Sequence, residues 1–306
     1  MIIPNKLKKG DTVLVVEASA SIEEKDKEYI EKSTKMLEDL GLNVEFAKNV
    51  YSNKTGYGAT VLEKAEDINE GFRNSKYQML FLVKGGANSN SLFDYLDYEV
   101  IANNPKIICG FSDSTSITNM ITEKTGLVTY SGPTFKSLSS WETEYSYRSF
   151  IKRFMEEDLE LSEQDDEFIT IKAGKTVGEL IGGNLSLISK MVAGKYKLNF
   201  ENKILFIEEL GFESEPAMCS GNLYYLKQNG VFDKIKGIWV GNYEHEDNIQ
   251  LEQILLDTIG DEYNFPIIKS NNFGHTDRKT VIPIGTIAKI DTNSQEKIEL
   301  LEKCVK

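Results

Sequence analysis

The chain has 306 residues, 40% of them hydrophobic and 27% charged, with a formal net charge of −13. Such a length accommodates two domains of ordinary size, and the strong negative charge argues against nucleic acid or an anionic membrane as the main partner. No apolar run is long enough to span a bilayer, the first residues carry no signal-peptide cleavage pattern, and three widely spaced cysteines suggest neither a disulfide framework nor a zinc site. A reducing, cytoplasmic setting is the resulting expectation.

Thr12–Glu17 (TVLVVE) is an apolar run of the kind found in a buried parallel strand, followed by the small-residue loop Ala18–Ser21. Lys25–Leu40 has apolar residues at helical spacing and is closed by Gly41. Leu42, Val44 and Phe46 alternate as a strand, and Tyr51–Ala59 is a loop rich in turn residues and aromatics. Thr60 and Glu63 form a capping box that opens a helix over Val61–Asn74. Tyr77–Val83 is the next buried strand. It runs into the glycine-rich turn Lys84-Gly85-Gly86-Ala87-Asn88, whose backbone N–H groups can approach a ligand closely. That turn is also what any tight strand-to-helix connection requires, and it lacks the spacing of a nucleotide-phosphate loop. A short helix is expected over Ser91–Leu96.

Ile107–Cys109 predicts a further buried strand, Gly110 a sharp turn, and Ser114 onward a helix ending at Gly126. Ser112 falls at the tip of this strand–turn–helix. A hydroxyl there projects from the sheet beside free N–H groups of a helix start, half matching the G-x-S-x-G nucleophile elbow. Taken alone, the same pattern is an ordinary capped helix. Repeated strand–helix alternation predicts a doubly wound, flavodoxin-like parallel sheet, with ligands beyond the carboxyl ends of its strands. Tyr130–Thr143 reads as irregular and Tyr145–Met155 as a helix. The acidic Glu156–Glu167 reads as a solvated, mobile linker without chemistry.

The second half predicts a smaller mixed β/α domain. It contains strands at Phe168–Lys172, Gly174–Gly183, Ile204–Ile207, Ile235–Gly241 and Pro266–Lys269, helices at Asn184–Ala193, Asn222–Asn229 and Leu251–Ile259, and hairpin material from Thr280 onward. The boundaries are 1–160 and 170–306. Glu208 ends a buried strand, where a carboxylate either enters a crevice or simply faces water. The two histidines are His245, among acids, and His275, in a loop between Gly274 and Thr276. Neither has metal-ligand spacing, so no metal or other cofactor is expected.

The stretch GGANSNSLFDYLDYEVIANNPKIICGFSDSTSITNMITEKTGLVTYSGP resembles the core signature of the LD-carboxypeptidase family of serine peptidases, which includes the microcin C immunity peptidases. The likeness continues in GELIGGNL (Gly178–Leu185), ILFIEE (Ile204–Glu209), YLKQNGVFDKIKGIWVG (Tyr225–Gly241), FGHT (Phe273–Thr276) and IPIG (Ile282–Gly285). These blocks run in family order over nearly the whole chain and look closer to the microcin-immunity branch. The resemblance implies a Ser-His-Glu triad of Ser112, His275 and Glu208, oxyanion donors at the N–H groups of Gly86 and Asp113, and substrate contacts at Asn88 and Asn184. It implies a homodimer acting on a small peptide or peptidyl-nucleotide, either a murein L,D-tetrapeptide or a microcin-like conjugate. Two departures stand out. Met218 and Gly221 occupy positions where many members carry Arg, with Lys227 the nearest basic residue. The nucleotide-stacking insertion is also short, leaving Trp141 as the one indole available to replace its aromatic. The alternatives are a catalytically silent ligand-binding homologue and a nucleotide or flavin module on a flavodoxin-like sheet.

Overall fold

Two sheets, each with helices against it, are built around central strands that are buried on both faces. The structure is a computed structural model and describes residues 1–140, 144–210, 215–243 and 249–306. Trp141 and His245 therefore lie outside the described residues. No described helix is long and apolar enough to cross a membrane.

The first sheet contains β1 (Thr12–Val16), β2 (Asn43–Phe46), β3 (Tyr77–Leu82), β4 (Ile107–Gly110) and β5 (Thr129–Ser131), all mutually parallel, in the order β5-β4-β3-β1-β2. This is the flavodoxin-like order, whose crevice opens where neighbouring connections diverge, between β1 and β3. Both faces of β1 are covered. Val13 and Val15 belong to one apolar cluster, Leu14 and Val16 to another. The helices are α1 (Lys27–Asp39), α2 (Val61–Arg73), α3 (Tyr98–Asn103) and α4 (Ser114–Thr125). The Thr60–Glu63 capping box forms as expected, and Gly126 closes α4 at φ 72°. The stretch read as irregular holds β5 and a short helix, α5 (Ser137–Ser140), which is too brief for periodicity to reveal. The helix expected over Ser91–Leu96 is a single 3-10 turn, Ser89–Leu92.

Next come α6 (Tyr145–Ile151), β6 (Phe168–Lys172), β7 (Lys175–Asn184), α7 (Leu185–Ser189), β8 (Lys203–Glu209), α8 (Pro216–Gln228), β9 (Gly237–Tyr243), α9 (Leu251–Ile259) and β10 (Ile267–Ser270). The final strands are β11 (Ile282–Ile284), β12 (Ile287–Asp291) and β13 (Ile298–Leu300). The second sheet has the order β13-β12-β7-β8-β9-β10-β6. Its centre, β7 to β10, is parallel, and β6, β12 and β13 are added antiparallel at the edges. It has seven strands to the first sheet's six, on a shorter stretch of chain.

Two expectations change. Hairpin material is expected from Thr280 onward, but of the last three strands only β12 and β13 pair as a hairpin; β11 leaves to pair antiparallel with β5. Pro283 has no N–H for a second neighbour, which suits an edge strand. Cys304 and Val305 also return to the core of the first sheet, so parts of the 170–306 span pack with the 1–160 span. The second change concerns Glu156–Glu167, which keeps exposed residues but is tied to the rest of the protein. Leu161 is buried, Arg148 binds Glu163 through two nitrogens, and the Asp166 carboxylate is held by Tyr145, Asn272 and Arg278. These carboxylates can sit against the protein because cations and amide donors meet them.

Candidate active site

The turn after β4 carries Ser112 in the left-handed region, at φ 60°. A non-glycine residue there costs about 1–3 kcal/mol and persists only when its surroundings over-determine it. Here the Ser112 carbonyl accepts the Thr115 N–H at 2.9 Å and the Phe111 carbonyl accepts the Ser114 N–H at 3.2 Å. These bonds fasten the turn to the first turn of α4. The strained, partly exposed serine between strand and helix is the geometry of a nucleophile elbow.

The glycine-rich turn after β3 runs directly against this serine. A Cβ on Gly85 would lie 3.1 Å from Ser112 Oγ and 3.8 Å from the Asp113 nitrogen, so only glycine lets the two backbones approach so closely. Asp113 locks the arrangement. Its Oδ2 accepts the N–H groups of Asn88 at 2.9 Å and Ser89 at 2.8 Å, while Ser89 Oγ donates to the Asp113 carbonyl at 2.6 Å. Ser19, from the end of β1, accepts the Ala87 N–H at 3.1 Å and braces the other side. Asn88 is thus placed in the turn, its own side-chain oxygen 3.4 Å from Ser19 Oγ.

Glu208 and His275 come from the second sheet. Alternation along β8 sends Leu205 and Ile207 to one apolar cluster and Ile204 and Phe206 to the other, which contains Phe273. The adjacent carboxylates consequently leave by opposite faces. Glu208 turns toward the 271–279 loop and is only 2% exposed, so the reading of it as a solvent-facing strand exit does not hold. Its Oε2 lies 2.6 Å from His275 Nδ1 and accepts the His275 N–H at 3.2 Å. Gly274, at φ 96°, lets the loop pass over this carboxylate, since a Cβ there would lie 2.7 Å from Glu208 Cβ. Asn242 completes the support: its Nδ2 donates to the His275 carbonyl at 2.8 Å. With Nδ1 facing a carboxylate, the favoured neutral tautomer leaves Nε2 as a proton acceptor.

The two halves meet at these residues. The Phe111 ring, one residue before Ser112, packs against the His275 imidazole at 4.9 Å between centroids. Alongside, Asn119 of α4 clasps the Gly182 peptide of β7, donating to its carbonyl at 2.8 Å and accepting its N–H at 3.2 Å. Thr115 Oγ1 accepts the Asn184 N–H at 3.0 Å. Periodicity gave no sign of either α4 residue, since both are polar positions on a helix buried nearly all round.

Asn184 pairs in register with Glu208. Its side chain is engaged internally: Nδ2 donates to Glu209 at 2.5 Å, and Oδ1 accepts from Ser186 Oγ at 2.7 Å and caps α7. Glu209 also accepts the Ser186 N–H at 2.8 Å. Burial, reinforced by the neighbouring Glu208 charge, raises its pKa to about 7. Lys279 also lies near Phe111, with Nζ 5.1 Å from the ring centroid, and burial lowers its pKa to about 7. Neither residue was singled out from sequence; the EE pair at the end of an alternating strand was the available signal for Glu209. Lys227 does not turn toward this site. Its Nζ binds Glu262 at 3.0 Å and the Thr258 carbonyl at 2.9 Å, and Met218 and Gly221 supply no charge.

Family models describing the LD-carboxypeptidase N-terminal and C-terminal domains match residues 13–132 and 177–290. The chain belongs to the LD-carboxypeptidase family. Among the family's proteins, a probable murein peptide carboxypeptidase of Bacillus subtilis is 30% identical, with 98% of this chain and 94% of that protein covered. An MccF-like protein from Bacillus anthracis superimposes with a TM-score of 0.88 at 30% identity, covering 98% of both chains. The microcin C7 self-immunity protein MccF, solved in complex with glutamyl sulfamoyl guanosine, does so with a TM-score of 0.88 at 25% identity and full coverage of both. Family membership supports a peptide carboxypeptidase or related hydrolase, and the likeness extends across both sheets.

Proposed function

We propose that this LD-carboxypeptidase family member is a cytoplasmic, homodimeric serine carboxypeptidase that hydrolyses an amide at the C-terminal end of a short peptide or peptidyl-nucleotide, with Ser112 as nucleophile, His275 as base and Glu208 as its orienting acid. The observation that carries this reading is the 2.6 Å contact between Glu208 Oε2 and His275 Nδ1, with the imidazole packed on the residue preceding Ser112.

In the first half-reaction Ser112 Oγ attacks the scissile carbonyl carbon and His275 Nε2 takes the hydroxyl proton. The carbonyl oxygen becomes an oxyanion, received by the N–H groups of Gly86 and Asp113; the Asp113 carboxylate holds the turn that carries Gly86 through the Asn88 and Ser89 N–H groups. The C–N bond breaks, His275 returns its proton to the leaving amine, and an ester to Ser112 remains. Water then attacks that ester with His275 again as base, releasing the carboxylic acid and restoring the hydroxyl. Glu208 stabilises the imidazolium in both halves without itself taking the proton. A pre-aligned donor pair and a buried carboxylate need little reorganisation, which is where such sites gain most of their rate.

The test is incubation with a murein tetrapeptide and with a peptidyl-adenylate amide, with products identified by mass, for the native chain and for Ser112→Ala. Cleavage of either substrate by the native protein, and a loss of about 10⁴-fold or more in the variant, supports the mechanism. Comparable turnover by the variant refutes it. A native protein that cleaves neither substrate and does not react with a fluorophosphonate probe would instead be a silent ligand-binding homologue. Sizing by light scattering tests the homodimer.

A further inference from the structure

The loop that carries His275 is closed at its base by the Thr280 N–H, which donates to the Asn272 carbonyl at 2.7 Å. Between these residues the chain passes over Glu208 at Gly274 and returns through Arg278. Its tip is held by Glu208 and by Asn242, whose backbone N–H and side chain donate to the Phe273 and His275 carbonyls. A loop that pivots at its base carries its tip with it, so a base residue such as His275 is placed only as well as the ends of its loop are fixed.

Asp166 grips those ends on both sides. Its side chain is 2% exposed and accepts five hydrogen bonds from four residues. Asn272 Nδ2 donates at 3.0 Å, Arg278 Nε and Nη2 at 3.1 and 2.8 Å, the Tyr145 hydroxyl at 2.6 Å and the Glu163 N–H at 2.7 Å. Asn272 and Arg278 flank His275, each three residues away. Tyr145 joins the same knot from α6: its hydroxyl lies 2.8 Å from Thr280 Oγ1, and the Arg278 guanidinium stacks 4.4 Å from its ring centroid. The acidic stretch before β6 therefore reaches the loop of the base through one buried side chain. A carboxylate accepts on both oxygens and so satisfies all of these donors together, whereas an asparagine would turn its NH2 toward one set of them.

We propose that Asp166 is a positioning residue for the base: by clamping both ends of the loop it keeps the His275 imidazole against Glu208 and Phe111. The inference rests on the Ser-His-Glu reading above, but its first readout needs no substrate. The chain has two histidines, so ring-nitrogen NMR of histidine-labelled protein gives two sets of signals, and those that vanish in His275→Gln belong to the base. In the native protein, above the titration of the ring, the Nδ1-protonated tautomer alone is expected. In Asp166→Asn the two ring nitrogens should move toward each other as the imidazole samples both tautomers. On whichever substrate is cleaved, kcat should fall about tenfold to hundredfold with KM within about twofold, the cost of displacing a reacting group by about an ångström. Arg148→Met is the control. It frees the same acidic stretch from α6 at Glu163 without touching the loop, and should lower the melting temperature while leaving the His275 signals and kcat unchanged. A clamp that only adds stability would make Asp166→Asn behave in that way, with native tautomer and native kcat. That result overturns the proposal, as do equal displacement of the His275 signals by both variants and native signals that are already mixed. Should Asp166→Asn fail to fold, Arg278→Gln, at a side chain 32% exposed, removes one arm of the clamp and is expected to give the same mixing in smaller measure; unchanged signals there overturn the proposal too. Tautomer mixing in Asp166→Asn, with a native protein that cleaves neither substrate, would remove the hydrolase reading and leave the clamp standing.

Discussion

Ser89 and Asp113 hold each other reciprocally: the Ser89 N–H donates to the Asp113 carboxylate at 2.8 Å, and Ser89 Oγ donates to the Asp113 carbonyl at 2.6 Å. Both residues are buried. This exchange ties the glycine-rich turn after β3 to the serine turn after β4, the two turns that carry the backbone donors proposed for the oxyanion. Asp113→Ala would leave the Asn88 and Ser89 N–H groups without their acceptor. We expect about 3 kcal/mol lower stability and about ten- to hundredfold lower kcat as the Gly86 N–H loses its fixed position. Thermal melts and steady-state kinetics read the two effects. A variant that melts lower but turns over at the native rate would show that the turn does not depend on this lock.

The short contact from Glu208 to His275 leads to a second expectation. Glu208→Gln retains shape but can present an N–H where the carboxylate accepted one, favouring the imidazole tautomer with its proton on Nε2. That tautomer cannot accept from Ser112. kcat should fall by about 10⁴-fold with KM little altered, as in other serine triads. A loss smaller than tenfold would mean that Glu208 does not orient the base.

Gly274 is expected to be intolerant of even a methyl group. At φ 96° an alanine is strained, and its Cβ would fall 2.7 Å from Glu208 Cβ. Gly274→Ala should lower stability by about 2–4 kcal/mol, from the positive φ and the overpacking together, and should displace His275 enough to remove most activity. Gly126→Ala is the control: φ is 72° in the ordinary left-handed region and no atom lies within 4 Å of the new Cβ, so it should lose only about 1–2 kcal/mol and keep full kcat. Equal behaviour of the two variants in melts and assays would contradict the close passage over Glu208.

Glu209 supplies a pH signature. Its pKa is raised to about 7 by burial, against an ordinary value of 4.5. Between these values the folded state retains a proton that the unfolded chain has released. The unfolded state then binds fewer protons, and stability falls as pH rises from about 4.5 to 7, levelling off above. In Glu209→Gln this component disappears. Urea melts at pH 5 and pH 7.5 should show a smaller loss of stability across the interval for the variant than for the native protein. Identical losses would indicate that Glu209 is ionised throughout.

The parallel strands are legible in the residues alone, because β1, β3 and β4 are buried on both faces and therefore read as continuous apolar runs. The caps at Thr60 and Gly126 are legible in the same way, as is the candidate status of Ser112, Glu208 and His275, since a turn serine, a strand-end carboxylate and a loop histidine carry local signals that a family resemblance could then order. Which of two adjacent glutamates meets the histidine depends on the packed fold: alternation along β8 sends Glu208 to the loop and Glu209 to α7, and no local rule says which face the loop covers. The packed fold likewise decides that the acidic stretch 156–167 is pinned by Arg148 and Arg278, that β11 belongs to the first sheet, and that Asn119 and Thr115 join the halves. Each depends on contacts between residues far apart in the chain, and such pairings leave no periodicity in either partner's own segment.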